Sequence, residues 1–199
     1  MRAGAEILEI REAVLRRAED AFAAAIKLHE RMRGNLGPAI VAAQAISDAL
    51  KAGNKLLVFG NGGSASDAQH LSAELVGRFQ RERAALPAIA LTVDTSVLTS
   101  VANDYSFKQV FVRQVEALGH PGDVAVGIST SGESPNVVAA LQTAKARGLK
   151  TVALTGRDGG SVGRAADFHV NVPDQNTARV QEVHRTLLHV ICEIIEENL

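Results

Sequence analysis

KLLVFGNGGSASDAQHLSAEL, Lys55 to Leu75, is the stretch whose reading decides the fold. Its apolar opening, Lys55–Phe59, reads as a buried strand. Gly60–Gly63 reads as a turn, and the residues after it have the periodicity of an amphipathic helix. Strand, glycine-rich turn and helix in this order turn backbone N–H groups toward a ligand, and the helix start adds partial positive charge. That combination favours an anion, phosphate above all. Gly62 and Gly63 let the backbone approach where a Cβ would collide, and Asn61, Ser64 and Ser66 offer short polar groups. The plainer alternative is that Ser64 or Ser66 caps the helix. His70 and Glu74 stand four residues apart and share a helix face, pointing at whatever the loop holds or forming a solvated pair of about 0.2–0.5 kcal/mol.

Outward from this stretch, strands alternate with helices. The first helix carries Ile7, Ile10, Val14, Ala18, Phe22 and Ile26 at three- and four-residue steps. Ahead of a single α/β layer it has no evident partner, so we expect it to pack on another subunit, with its own domain as the alternative. Gly34–Gly37 breaks it, and Pro38 opens a second helix to about Ala52. Further strands are expected at Ala88–Thr92, Val124–Ile128, Thr151–Thr155 and Phe168–Val172. Helices are expected to about Ala102 after an N-cap among Asp94, Thr95 and Ser96, over Phe107–Leu118, from Asn136 to Arg147, and from Thr177 to Glu197. This pattern predicts an α/β fold, a three-layer αβα sandwich with a five-stranded parallel sheet. Residues 1–199 read as one domain, with N-terminal helices over 1–52 and the αβα core over 53–199. Ligands of such sheets lie beyond the C-terminal strand ends, where NGGSAS, STSGES and TGRDGG emerge.

Composition sets outer limits. The chain has 199 residues, 46% hydrophobic and 22% charged, with a net charge of −1. That balance gives no electrostatic footprint for nucleic acid or an anionic membrane. No run approaches the ~20 apolar residues of a membrane span and no apolar signal core is present, so a cytoplasmic location is expected. Cys192 is the single cysteine and reads as a core thiol. The STSGES loop offers Ser129, Thr130, Ser131 and Ser134 at a helix start, suited to a phosphate monoester. The P-loop and dinucleotide patterns are both unmet. In the last helix Gln181, Arg185 and His189 fall on one stripe, with His184 to its side.

GNGGSxSDAQHxxxEL, ANDYSF, ISTSGES, ALTGRDGG and RVQEVHRTLLH, in this order and spacing, resemble the bacterial phosphoheptose isomerases of the sugar isomerase (SIS) domain superfamily, almost end to end. The resemblance implies a flavodoxin-like SIS architecture and isomerisation of sedoheptulose 7-phosphate to D-glycero-D-manno-heptose 7-phosphate, the first step toward the heptose precursor of lipopolysaccharide. It implies Asn61, Gly62, Gly63, Glu74, Asn103, Asp104, Ser129, Thr130, Ser131, Ser134 and Gln181 as substrate contacts. His70, Glu74, Gln181 and His189 would hold one Zn2+ per subunit, and Glu74 and His189 would act as the acid–base pair. A homotetramer with sites at subunit contacts is also implied. Arg185 stands where relatives would carry an apolar residue, and a surface or inter-subunit ion pair is expected of it.

The chemistry of the reaction agrees with those roles. Moving a proton between C1 and C2 through an enediol needs a base and a group that steadies the oxyanion, with no redox cofactor. Two imidazoles, a carboxylate and an amide oxygen fit a zinc set, the amide being the weak member, and both a catalytic and an organising metal suit it. Two other readings compete. One is a non-catalytic SIS protein that binds the replication initiator, which the LPAIAL segment resembles. The other is an isomerase of a different sugar phosphate.

Overall fold

In the computed structural model residues 2–199 are described, with side chains from residue 11 onward. The expected apolar positions Ile7 and Ile10 therefore lie outside the described side chains. The chain divides into two compact units, Met1–Asn35 and Leu36–Leu199.

The first unit is the single helix α1 (Arg2–Arg33), closed by Arg31 and Arg33, whose charges suit the negative end of the helix dipole. Along it Val14, Leu15, Phe22 and Ile26 are exposed, Phe22 by 75%.

The second unit begins with α2 (Gly37–Lys51), which carries its proline in the first turn as expected. Next come β1 (Leu56–Gly60), α3 (Gly63–Val76), β2 (Ala88–Ala90) and α4 (Thr95–Asp104). A 3-10 turn (Phe107–Gln109) leads into α5 (Val112–Leu118), β3 (Val124–Ser129), α6 (Pro135–Ala146) and β4 (Lys150–Gly156). The chain ends with α7 (Gly160–Ala165), β5 (Phe168–Val172) and α8 (Thr177–Asn198). Of the three candidate caps Asp94 is the one that caps α4, accepting from the Val97 N–H at 3.0 Å. Asn176 caps α8 in the same way.

All strand pairs are parallel and their order is β2-β1-β3-β4-β5. Every residue of β1 and β3 is buried, the mark of a sheet covered on both faces. Alternation sends Leu57, Phe59, Ala125 and Ala153 into one core with α5 and α6, where Phe59 stacks on Phe111 with ring centroids 5.3 Å apart. The opposite face is covered by α2, α3 and α8, with α8 packed against both other helices.

The helix expected over Phe107–Leu118 is interrupted at Val110 and Phe111. Both keep right-handed helical dihedrals and are fully or almost fully buried, so the break is a change of hydrogen bonding between the 3-10 turn and α5. Among the described residues no helix is long and apolar enough to cross a membrane.

Candidate active site

The order of the strands reverses between β1 and β3, and at that point an open α/β sheet leaves a crevice. Two of the three hydroxyl-bearing loops flank it. Asn61, at the end of β1, and Asn136, in the first turn of α6, exchange two amide hydrogen bonds of 2.9 Å and tie the loops together. A cleft of about 300 Å³ opens beside them, lined by Asn61, Phe107, Lys108, Ser134, Pro135 and Asn136.

In the second loop the hydroxyls cluster. Ser129 Oγ lies 2.9 Å from Ser134 Oγ and 3.3 Å from Ser131 Oγ. Gly132 takes φ +71, and a Cβ there would sit 2.7 Å from the Gly159 carbonyl. The third loop therefore acts as a buttress: Val162 N–H donates to Gly132 O at 2.8 Å, and Ser161 N–H to Glu133 Oε1 at 3.0 Å. No serine caps α3; its N-cap is Gly62, at φ +55.

The second half of the site is built between α3 and α8, which lie side by side. His70 Nε2 is 2.7 Å from His189 Nε2 and 3.5 Å from Glu74 Oε1. Ligand atoms of His70, Glu74 and His189 all lie within 4.8 Å of one another, and each residue is partly buried. The His70 proton affinity is lowered, chiefly by burial, with Arg185 and His189 adding to the effect and Glu74 opposing it. A neutral His70 is the form that can donate a lone pair. Two imidazole nitrogens and one carboxylate oxygen in this arrangement are a donor set that fits zinc.

Gln181 meets the first half of α3, its Nε2 donating to Asp67 Oδ2 at 3.3 Å. Eight residues separate it from His189, a rise of about 12 Å along α8. Its amide fills the space over Gly63, where a Cβ would overlap it, so this glycine admits a side chain of α8. Asn103 and Asp104 are exposed at the end of α4, and Asn103 donates to Asp104 Oδ1 at 2.8 Å. Among the described residues no hydrogen bond joins them to the serine loop or to the histidines.

Several residues that hold the site are not visible in the sequence pattern. Asp67, wholly buried on α3, takes Arg185 Nη2 at 2.8 Å and Gln181 Nε2 at 3.3 Å. The expected surface or inter-subunit pairing of Arg185 is thus corrected: a buried carboxylate of its own chain is the partner. Phe79 stacks on His189 with centroids 5.3 Å apart.

Glu196, further along α8, accepts the backbone N–H groups of Phe79, Gln80 and Arg81 at 2.9 Å each. It also accepts from Arg83 Nε at 3.1 Å. Arg83 in turn donates to the carbonyls of Glu74 and Leu75, covering the C-terminal end of α3. Burial alone would raise the Glu196 pKa, but those N–H groups and the Arg83 charge hold it at about 2. The one signal in the sequence was an acidic residue at an apolar-phase position of α8.

His184 is a core residue. Its Nε2 bonds to Thr155 O at 2.9 Å, and burial lowers its pKa. Cys192 is buried, and its thiol is pushed up to about 12, first by burial and then by Glu74 and Glu196.

A parallel 2-1-3-4-5 sheet with a hydroxyl loop at its switch point defines a doubly wound α/β protein of the flavodoxin-like kind, and the chain matches the SIS domain family model over residues 5–156. It belongs to that family. It is 57% identical over 169 residues to a phosphoheptose isomerase of Citrifermentans bemidjiense, covering 84% of this chain and 88% of the relative. A phosphoheptose isomerase of Aquifex aeolicus is 60% identical over 152 residues, 76% of this chain and 80% of the relative. The structure of a phosphoheptose isomerase from Neisseria gonorrhoeae superimposes with a TM-score of 0.88 at 44% identity, covering 92% of this chain and 99% of that one. Within the SIS family the chain is a member of the phosphoheptose isomerases, a class of aldose–ketose isomerases.

Proposed function

We propose that the chain interconverts sedoheptulose 7-phosphate and D-glycero-D-manno-heptose 7-phosphate in the cytoplasm, supplying the heptose precursor of lipopolysaccharide. The observation that carries the mechanism is the meeting of the Glu74 carboxylate with the His189 imidazole from helices more than a hundred residues apart in sequence. Ser129, Thr130, Ser131 and Ser134 hold the phosphate with hydroxyls and with the amides at the start of α6. Asn61, Gly62 and Gly63 line the sugar, as do Gln181, Asn103 and Asp104, the last two from a subunit contact.

Glu74 Oε1 is turned toward His70, so Oε2 is the atom assigned to the C1 proton of the ketose. Glu74 removes that proton and returns it at C2. His189 delivers a proton to O2 and takes one from O1, so that the enediol closes to the aldose. Phe79, lying on the His189 ring, keeps the imidazole in place and limits water. His70, Glu74 and His189 would hold Zn2+, while Gln181, the fourth donor that the resemblance implies, is engaged by Asp67 in this chain. Bound zinc supplies charge that steadies the oxyanion.

The apolar side chains exposed along α1 support assembly through that helix, as a homotetramer. The test is a discontinuous assay with sedoheptulose 7-phosphate, with and without added zinc. Glu74→Gln and His189→Ala are each expected to lose about 10²–10⁴ in turnover while keeping the wild-type circular dichroism spectrum. Near-wild-type turnover in either variant refutes the mechanism.

A further inference from the structure

Asp67 takes no part in the proton transfers above, yet it is the most buried charge beside them. Its side chain has no exposure, against 45% for Arg185. A carboxylate withdrawn from water in this way must be paired and hydrogen-bonded. Both partners come from one stripe of α8: Arg185 Nη2 on Oδ1 at 2.8 Å, and Gln181 Nε2 on Oδ2 at 3.3 Å.

The two ends of an amide differ, because its nitrogen only donates and its oxygen only accepts. With the nitrogen spent on Asp67, the Gln181 oxygen is left as the end that can receive a hydroxyl proton. Gly63 encloses the same amide from the side of the α3 start, where a Cβ would overlap it. Arg185 engages the other carboxylate oxygen, so Asp67 presents one defined acceptor to Gln181.

We propose that Asp67 and Arg185 are positioning residues that lock the Gln181 amide with its oxygen facing the sugar, as acceptor for a hydroxyl of the polyhydroxy chain. The inference rests on the sugar-phosphate isomerase reading above. It gives Arg185, the charged residue at a position where an apolar one was expected, a defined task within its own chain.

The test is a double-mutant cycle on the full-length protein, with Asp67→Asn, Gln181→Ala and the pair. Turnover of sedoheptulose 7-phosphate and its binding by calorimetry are both measured. Asp67→Asn is expected to raise KM and Kd about tenfold or more, with a smaller effect on kcat, because it leaves the amide free to turn over. In the Gln181→Ala background the same change adds less than about twofold, because it acts through the amide that has been removed.

Arg185→Ala behaves the same way at smaller size, and Arg185→Lys restores part of the loss. Additive effects in the two backgrounds, or an Arg185→Ala variant equal to wild type, overturn the proposal while leaving the isomerase reading intact. Wild type that binds the sugar phosphate without converting it sinks the isomerase reading alone, and the calorimetric cycle still decides the positioning. Wild type that neither binds nor converts it overturns both. If Asp67→Asn does not fold, the cycle of Arg185→Ala with Gln181→Ala decides the matter by the same criterion.

Discussion

Replacing Glu196 by Gln probes how the two catalytic helices are held together. Four donors share the two carboxylate oxygens: the N–H groups of Phe79, Gln80 and Arg81 and the Arg83 guanidinium. Glutamine keeps the shape but turns one acceptor into a donor, which then faces donors. The ordinary carboxyl value of 4.5 falls to about 2 in the folded protein. A shift of that size corresponds to about 3 kcal/mol. Hydrogen bonds to a charged group contribute about 1.5–3 kcal/mol each, so the loss of two of them agrees in order of magnitude.

Because the folded pKa is depressed, this stabilisation is fully present above the unfolded value and is lost as pH falls through the folded one. Urea unfolding of wild type and Glu196→Gln is therefore expected to differ by about 3 kcal/mol at neutral pH. The gap should shrink to roughly 1.5 kcal/mol near pH 3, as the wild type loses its advantage and the variant has none to lose. A gap under about 1 kcal/mol at neutral pH, or one that acid leaves unchanged, would show that the carboxylate is not the clasp described here.

The same geometry sets three further outcomes. Gly132→Ala, at φ +71 with the Gly159 backbone 2.7 Å from the new Cβ, should lower stability by about 1–3 kcal/mol and raise KM, as read by thermal unfolding and steady-state kinetics. Cys192, buried with its thiol at about 12, should resist a maleimide reagent in the native protein at neutral pH and react once the chain is unfolded in urea, with mass spectrometry as the readout. Prolonged chelation should abolish isomerase activity and added zinc should restore it; full activity in demonstrably metal-free protein refutes the metal's role.

The elements of the fold were legible wherever one residue pattern met one environment. Phe168–Val172 is the strand its alternation predicts, and Pro38 opens α2, because local chemistry alone settles both. Legibility failed where tertiary contact decided the outcome. Val110 and Phe111 read as the middle of a helix; they keep right-handed helical dihedrals, but the hydrogen bonding changes there from a 3-10 turn to α5, with Phe111 buried against Phe59. Within the site, the spacing of His70 and Glu74 on one turn of helix was readable, and so was the stripe of Gln181, Arg185 and His189. What those stripes face was not, since Asp67 and Gln181, or Gln80 and Glu196, are 114 and 116 residues apart. Periodicity names a face; only the sheet order says which two faces meet.

That sheet order also explains why the reactive groups divide between α3 and α8. Both helices cover the same face of the sheet, so residues spaced by whole turns on one can meet residues so spaced on the other. Gly63 faces Gln181, Asp67 spans Gln181 and Arg185, and His70 reaches His189. Beyond the last of these contacts the 79–83 segment closes the ladder on Glu196. The carboxylate and imidazole are thus held at one end of the two-helix frame, and the serine loop, tied to Asn61 through Asn136, lies toward the other, where α3 begins.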